Sequence, residues 1–224
     1  RNVGIYTFVI DVTEGRNYNA ATGLTDSGWT FEILPSTTPP TVELSSTTYT
    51  YTGERFLPEV TVKVGDTTLA EKTDYTVTYG ENKNAGTGTV TVTAVQGGNY
   101  AFTEVQKEFT IEQAEPELSF GKSAESKTYI DEPFTNPLTN KGDGNVTYTS
   151  SEESVATVDE NGKVTIVGVG ETTITAAVPA TTNYKADEAS YTLTVAQAQI
   201  RITKAGVMLK IYDGGSKADV ISVD

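Results

Sequence analysis

The stretch NAGTGTVTVTAVQGGNY, residues 84–100, decides how the chain is read. At its centre Thr87, Thr89, Thr91 and Thr93 alternate with Val90, Val92 and Ala94. A period of two places the threonines on one face of a strand and the apolar residues on the other. One wet face and one apolar face is the signature of an antiparallel sheet packed on one side only. The same frame occurs 82 residues earlier as NVGIYTFVIDVTEGRNY, residues 2–18. Gly4 aligns with Gly86, Gly15 with Gly97, Asn17 with Asn99 and Tyr18 with Tyr100. A third copy, GETTITAAVPATTNY, places Gly170, Asn183 and Tyr184 at an offset of 84 from Gly86, Asn99 and Tyr100.

Each copy leads into a further strand pattern: WTFEI (29–33), KEFTIEQ (107–113) and SYTLTVAQ (190–197). A period near 82 residues is longer than solenoid repeats and matches small β-sandwich domains. The repeated unit therefore reads as strand, corner, last strand. Tyr18, Tyr100 and Tyr184 are expected to cap the core at that corner, hydroxyl outward.

Composition agrees. The 224 residues include 39 Thr and 12 Tyr, types that favour a pleated, half-buried surface, with 20 Gly and 8 Pro as punctuation. Further strand patterns are TYTYTGE (48–54), EVTVKVG (59–65) and DYTVTYG (74–80). In SVATVDENGKVTIV (154–167) two alternating runs flank Glu160-Asn161-Gly162, a hairpin signal, since Asn-Gly tolerates the positive φ of tight turns. No run of eighteen apolar residues occurs, so no membrane insertion is expected in this segment. The fold class expected is all-β, with tandem immunoglobulin-like β-sandwich domains.

Boundaries are marked by LPSTTPPT (34–41), EQAEPEL (112–118) and AQAQ (196–199). Proline fixes φ and removes donors, so the first is a short, stiff linker. The expected division is 1–36, the last strands of an incomplete module; 41–113, a complete one; 114–197, another; and 198–224, the start of a further module or a C-terminal hairpin. The chain opens in a strand pattern with no initiator Met or signal peptide, and is expected to be a slice of a longer array.

Two resemblances sharpen this reading. Ser154-Val155-Ala156, Val158-Asp159, Gly162-Lys163-Val164-Thr165 and Thr173-Ile174-Thr175 resemble the bacterial Ig-like domain group 2 of intimin- and invasin-type adhesins, over about residues 114–197. Tyr51-Thr52-Gly53, Pro58, Asp74-Tyr75-Thr76-Val77, Asn84-Ala85-Gly86-Thr87 and Gly98-Asn99-Tyr100 resemble the Tyr-rich Ig-like repeats of large Bacteroidetes and Firmicutes surface proteins, over about residues 1–113. The tail KAGVMLKIYDGGSKADV (204–220) resembles the opening of another such repeat. These resemblances imply an extracellular location at the bacterial cell surface and strand and turn positions rather than a catalytic site.

The chemistry available is narrow. With no Cys and no His, thiol nucleophiles, imidazole bases and nearly all zinc sites are excluded, and so is a conventional serine triad. A net charge of −14 without Lys/Arg clusters opposes nucleic-acid binding. Carboxylates cluster at turns, where solvation explains them. Asp143, in NKGDGN, and Asp159 and Asn161, in DENG, offer oxygen ligands for calcium but lack the twelve-residue EF-hand spacing. Trp29, Tyr49 and Tyr51 are the aromatic candidates for stacking on a sugar ring, with Tyr75 and Tyr79 read as core-facing. No catalytic residue and no cofactor is expected.

Three functions fit: a non-catalytic stalk or adhesion array that presents a binding region; a module that binds a glycan or a host or bacterial surface protein; or accessory domains of a secreted glycan-degrading enzyme. Strand complementation between the two chain ends, or between molecules, is a further expectation.

Overall fold

The structure, a computed structural model, describes residues 2–199, and every element in that range is a strand. Residues 200–224, on which the expected further module or hairpin falls, lie outside the described residues.

The second module carries β5 (Thr41–Leu44), β6 (Thr48–Thr50), β7 (Val60–Val64), β8 (Thr67–Thr68), β9 (Tyr75–Tyr79), β10 (Gly86–Ala94) and β11 (Val105–Glu112). They form two sheets, in the orders β6-β11-β10-β9 and β5-β7-β8. The alternating part of the 84–100 stretch is β10, the longest strand of the module. Its alternation is obeyed, since Val90 and Val92 are fully buried while Thr87 and Thr93 are exposed. Val42 and Val62 of the small sheet, with Leu69 just beyond β8, form one buried cluster with Tyr75 and Val92 of the larger sheet and with Phe102, which precedes β11. Two inner faces interlocked in this way are what stabilise a sandwich.

The third module repeats the plan with β12 (Ser119–Phe120), β13 (Ala124–Thr128), β14 (Phe134–Thr135), β15 (Leu138–Thr139), β16 (Thr147–Ser150), β17 (Ala156–Val158), β18 (Lys163–Ile166), β19 (Gly170–Val178) and β20 (Asp187–Ala196). Its main sheet runs β13-β20-β19-β16 and faces β14-β18-β17. Val155, Ala156 and Val164 pack on Ile174, Tyr191, Leu193 and Val195. Fully burying a side chain such as Leu193 contributes roughly 1.5–3 kcal/mol.

In both modules the early strand that joins the main sheet is parallel to the last strand: β6 to β11 and β13 to β20. The expected β17–β18 hairpin is present, with Ala156 opposite Ile166 and Val158 opposite Val164. Its loop differs from a two-residue Asn-Gly turn. Four residues intervene, Gly162 alone takes a positive φ (+74°), and the Asp159 carboxylate accepts hydrogen bonds from the Asn161 and Lys163 amides at 2.9 Å. The strand expected over 48–54 stops at Thr50.

Residues 2–34 depart from the expected pair of long strands. Four short strands, β1 (Gly4–Thr7), β2 (Ile10–Val12), β3 (Ala21–Leu24) and β4 (Thr30–Ile33), form two antiparallel pairs, β1-β4 and β2-β3. The pairing breaks where a turn built on Asp26 intervenes; its carboxylate accepts the Gly28 amide at 2.7 Å. Ile5, Val9, Tyr18 and Leu34 are largely exposed on this segment.

Candidate functional site

The repeated motif that marks the strands also builds the junctions between modules. Gly4, Gly86 and Gly170 share an unusual backbone, with φ of +141°, +133° and +143°. A side chain disfavours this region, so glycine is what the position requires. Each glycine begins its strand, so the amide of the preceding residue lies just outside it.

At the first junction that amide, Val3 N–H, donates to Asn99 Oδ1 at 2.9 Å. At the second, Ala85 N–H donates to Asn183 Oδ1 at 3.0 Å. Each asparagine also reaches back with its side-chain nitrogen, Asn99 to Asn2 at 3.2 Å and Asn183 to Asn84 at 3.3 Å. The linkers are fixed by the same corners. Ser36 N–H donates to the Asn99 carbonyl and Ala101 N–H to the Ser36 carbonyl, both at 2.8 Å. Ala114 N–H donates to the Asn183 carbonyl at 2.9 Å, and Lys185 N–H to the Ala114 carbonyl at 3.0 Å. Two bridges of one parallel strand type result, Ser36 with Tyr100 and Ala114 with Tyr184.

The second junction adds a ring contact: Tyr184 meets Tyr51 edge-on, centroids 5.5 Å apart at 79°. Gln113 Nε2 donates to the Thr181 carbonyl at 2.6 Å. Lys185 pairs with Glu115 at 2.6 Å, which raises the lysine pKa through that hydrogen bond, but both groups are well exposed and the pair adds little to stability.

The corner tyrosines therefore do more than cap a core, and not all do that. Tyr100 packs against the core of the second module, Tyr184 against its neighbour's Tyr51, and Tyr18 is 75% exposed.

The other candidate residues sit as follows. Tyr49 and Tyr51 are half-buried against the Val90–Phe109–Ile111 core, with Tyr49 4.7 Å from Phe56 and 5.4 Å from Phe109, ring to ring. Tyr75 is buried and Tyr79 half-buried; burial raises both phenol pKa values, with Glu71 adding to the rise. Trp29 stacks on Phe8, centroids 6.0 Å apart. Asp143 accepts a hydrogen bond from Thr181 Oγ1 at 2.6 Å, and Asp159 and Asn161 belong to the hairpin loop described above. Among the described residues no three Asp or Glu side chains converge as metal ligands. What sequence reasoning missed is the partner of each Asn-Tyr corner, nearly a hundred residues away.

The third module has a recognisable relative. Residues 137–181 match the family model of the intimin immunoglobulin-like domain. The matched intimin-like segment runs through β19 to the start of the Asn183 corner and contains the β17–β18 hairpin. It supports a bacterial Ig-like domain; group 2 and the Tyr-rich repeats are finer groupings than that match makes. No curated protein matches the chain. Solved structures similar to it include domains 4 and 5 of the S-layer protein SbsC (16% identity, 70% of this chain and 98% of that one, TM-score 0.33). Drosophila N-cadherin EC1-3 is similar over 71% of this chain and 68% of its own (9% identity, TM-score 0.32). So is a SusE-like surface-located polysaccharide-binding protein from Bacteroides thetaiotaomicron (15% identity, 87% and 42%, TM-score 0.29).

Proposed function

We propose that the chain is a non-catalytic extracellular array at a bacterial cell surface, whose Ig-like modules space or present a binding region. The observation that carries this reading is the junction. Two successive joints use the same amide-to-asparagine bond and the same backbone bridge, so each module is held to the next by more than its linker. Each such bond contributes on the order of 1 kcal/mol, enough together to bias orientation. The module division 41–113 and 114–197 is the one this reading uses. Small-angle scattering tests it: a compact 224-residue protein has a radius of gyration of about 17 Å, and a stalk gives a value well above that. A value at the compact figure contradicts the proposal.

A second reading concerns residues 2–34. Tyr6 stacks on Phe31 and Phe8 on Trp29 on a segment whose apolar residues are largely exposed. Such a surface suits a glycan or a surface protein, or an added strand. A glycan array with a Trp29 fluorescence titration tests it, and silence in both removes it.

A further inference from the structure

In the second and third modules the first strand of the main sheet lies beside the last and parallel to it. The start of one strand and the end of its parallel partner lie at opposite ends of the pair. Tension along the chain therefore draws the two strands past each other, and the hydrogen bonds between them are loaded together. An antiparallel pair pulled apart at one end opens bond by bond instead. The second module pairs Thr48, Tyr49 and Thr50 with Thr110, Ile111 and Glu112. The third has a longer ladder, Ala124 to Thr128 against Thr192 to Ala196. Both ladders run on past their strands. Thr110 N–H donates to the Thr47 carbonyl at 2.9 Å, and Tyr51 N–H to the Glu112 carbonyl at 2.8 Å. Thr192 N–H donates to the Ser123 carbonyl at 3.2 Å, and Tyr129 N–H to the Ala196 carbonyl at 3.0 Å. Upstream of β6, β5 is held antiparallel to β7, from Thr41 opposite Lys63 to Leu44 opposite Val60. The chain entering the second module is thus stitched to both sheets.

Side chains add to the backbone ladder. Tyr49 pairs with Ile111, and its ring already meets Phe109 edge-on, centroids 5.4 Å apart at 76°. Drawing β6 toward its own start carries Tyr49 from Ile111 toward Phe109, so the slide drives one ring into the other. Lys127 holds the same register in the third module, opposite Val195. Its ammonium sits 4.7 Å over the Phe134 ring and 3.5 Å from Glu125. The open edge of each first strand is tied as well. Backbone groups alternate along a strand, so Thr48 and Thr128 turn theirs away from the last strand. Ser46 Oγ donates to the Thr48 carbonyl at 2.8 Å and accepts from its amide at 3.2 Å. Asp131 accepts from the Thr128 amide at 2.9 Å, and its own N–H donates to the Thr128 carbonyl at 3.0 Å. We propose that the second and third modules are load-bearing clamps, in which tension along the chain is carried by β6 against β11 and by β13 against β20. The third is the stronger, since more residues must slide at once. This inference concerns each module by itself and stands apart from the stalk reading, which scattering tests.

The test holds the full 224-residue chain between its two ends in optical tweezers. Forced unfolding is governed by the unfolding rate, so it reads the clamp rather than the equilibrium stability. Two steps with contour gains of roughly 25 nm each are expected, the second module yielding before the third. Tyr49→Ala assigns the first step and is expected to make it about tenfold faster at fixed force. Lys127→Ala assigns the second and makes it about fivefold faster. The return of both full steps in each refolding cycle reports that the variants fold. One handle is then moved to Glu171→Cys, an exposed position and the single cysteine of that variant. Glu171 faces Thr194 across the antiparallel β19–β20 pair, so pulling it against the C-terminal end opens that pair from one end. The third module is expected to yield at clearly lower force in this geometry, and Lys127→Ala is expected to leave that force unchanged. Equal force in the two geometries overturns the proposal. So does a Lys127→Ala effect of the same size in both, which marks the residue as one more contribution to stability.

Discussion

Gly86, at φ +133°, starts β10 directly after Ala85, whose N–H donates to Asn183 Oδ1. Alanine there is strained whatever space surrounds it. Gly86→Ala is expected to lower stability by about 1–3 kcal/mol and to loosen the second joint, as denaturant unfolding and the Asn183 side-chain amide signals would report. Tyr191 makes a different prediction. Its hydroxyl is buried in the third core with no hydrogen-bond partner among the described residues, and burial, with Glu125 adding to it, pushes its pKa up to about 12. A phenol whose folded pKa exceeds the unfolded value near 10 keeps its proton longer in the folded state. Its contribution is thus fully present below pH 10 and is lost as pH rises from about 10 to about 12. Tyr191→Phe removes the unsatisfied hydroxyl and this sensitivity. Its stability at pH 7 is expected to equal or exceed that of the parent, and a loss above about 1 kcal/mol would show a hydrogen bond the hydroxyl does make.

At the scale of the strand, the two main sheets solve one packing problem in opposite ways. Gly88 lies opposite Phe109, and a side chain at Gly88 would overlap that ring. At the matching register in the third module Thr172 lies opposite Leu193, and Thr172 is buried, bonded to Ser150 and to the Glu152 amide. A large residue faces a small one in the first case, and two of middle size face each other in the second. Gly88→Thr is therefore expected to displace Phe109 and cost about 1–3 kcal/mol. Leu193→Ala, which opens a cavity in the third core, is expected to cost about 2–5 kcal/mol. Thermal or denaturant unfolding of the full chain checks both.

The same scale shows what was legible in the sequence. The alternation around Val90 and Val92 is local, so β10 and its one-sided burial could be read directly. The Asp159–Gly162 loop was legible as a hairpin for the same reason. The parallel pairing of β6 with β11 was not, because Thr48 and Thr110 meet through a register that neither segment encodes alone. Asn99 and Asn183 were legible as repeated residues but not as joints. An Asn-Tyr at a strand end looks like ordinary turn chemistry, and its partner lies 96 to 99 positions distant. Ring chemistry alone makes Trp29 and Tyr49 candidates in the sequence, while in the structure each ring is engaged by a neighbour, Phe8 for one and Phe56 and Phe109 for the other.

For the whole molecule, function depends on whether the joints hold modules in a fixed relation or the linkers merely tether them. The chain contains no cysteine, so two can be introduced as unique label sites without disturbing a native thiol. Lys107 on β11 and Lys163 on β18 are exposed and lie on different modules. Spin labels at K107C and K163C, measured by pulsed electron double resonance, read the distance between the second and third modules directly. The account predicts one narrow distance distribution that broadens when Asn183→Ala removes the acceptor of the Ala85 amide. A distribution already broad before that substitution, or unchanged after it, would contradict the claim that the Asn-Tyr corner fixes the joint.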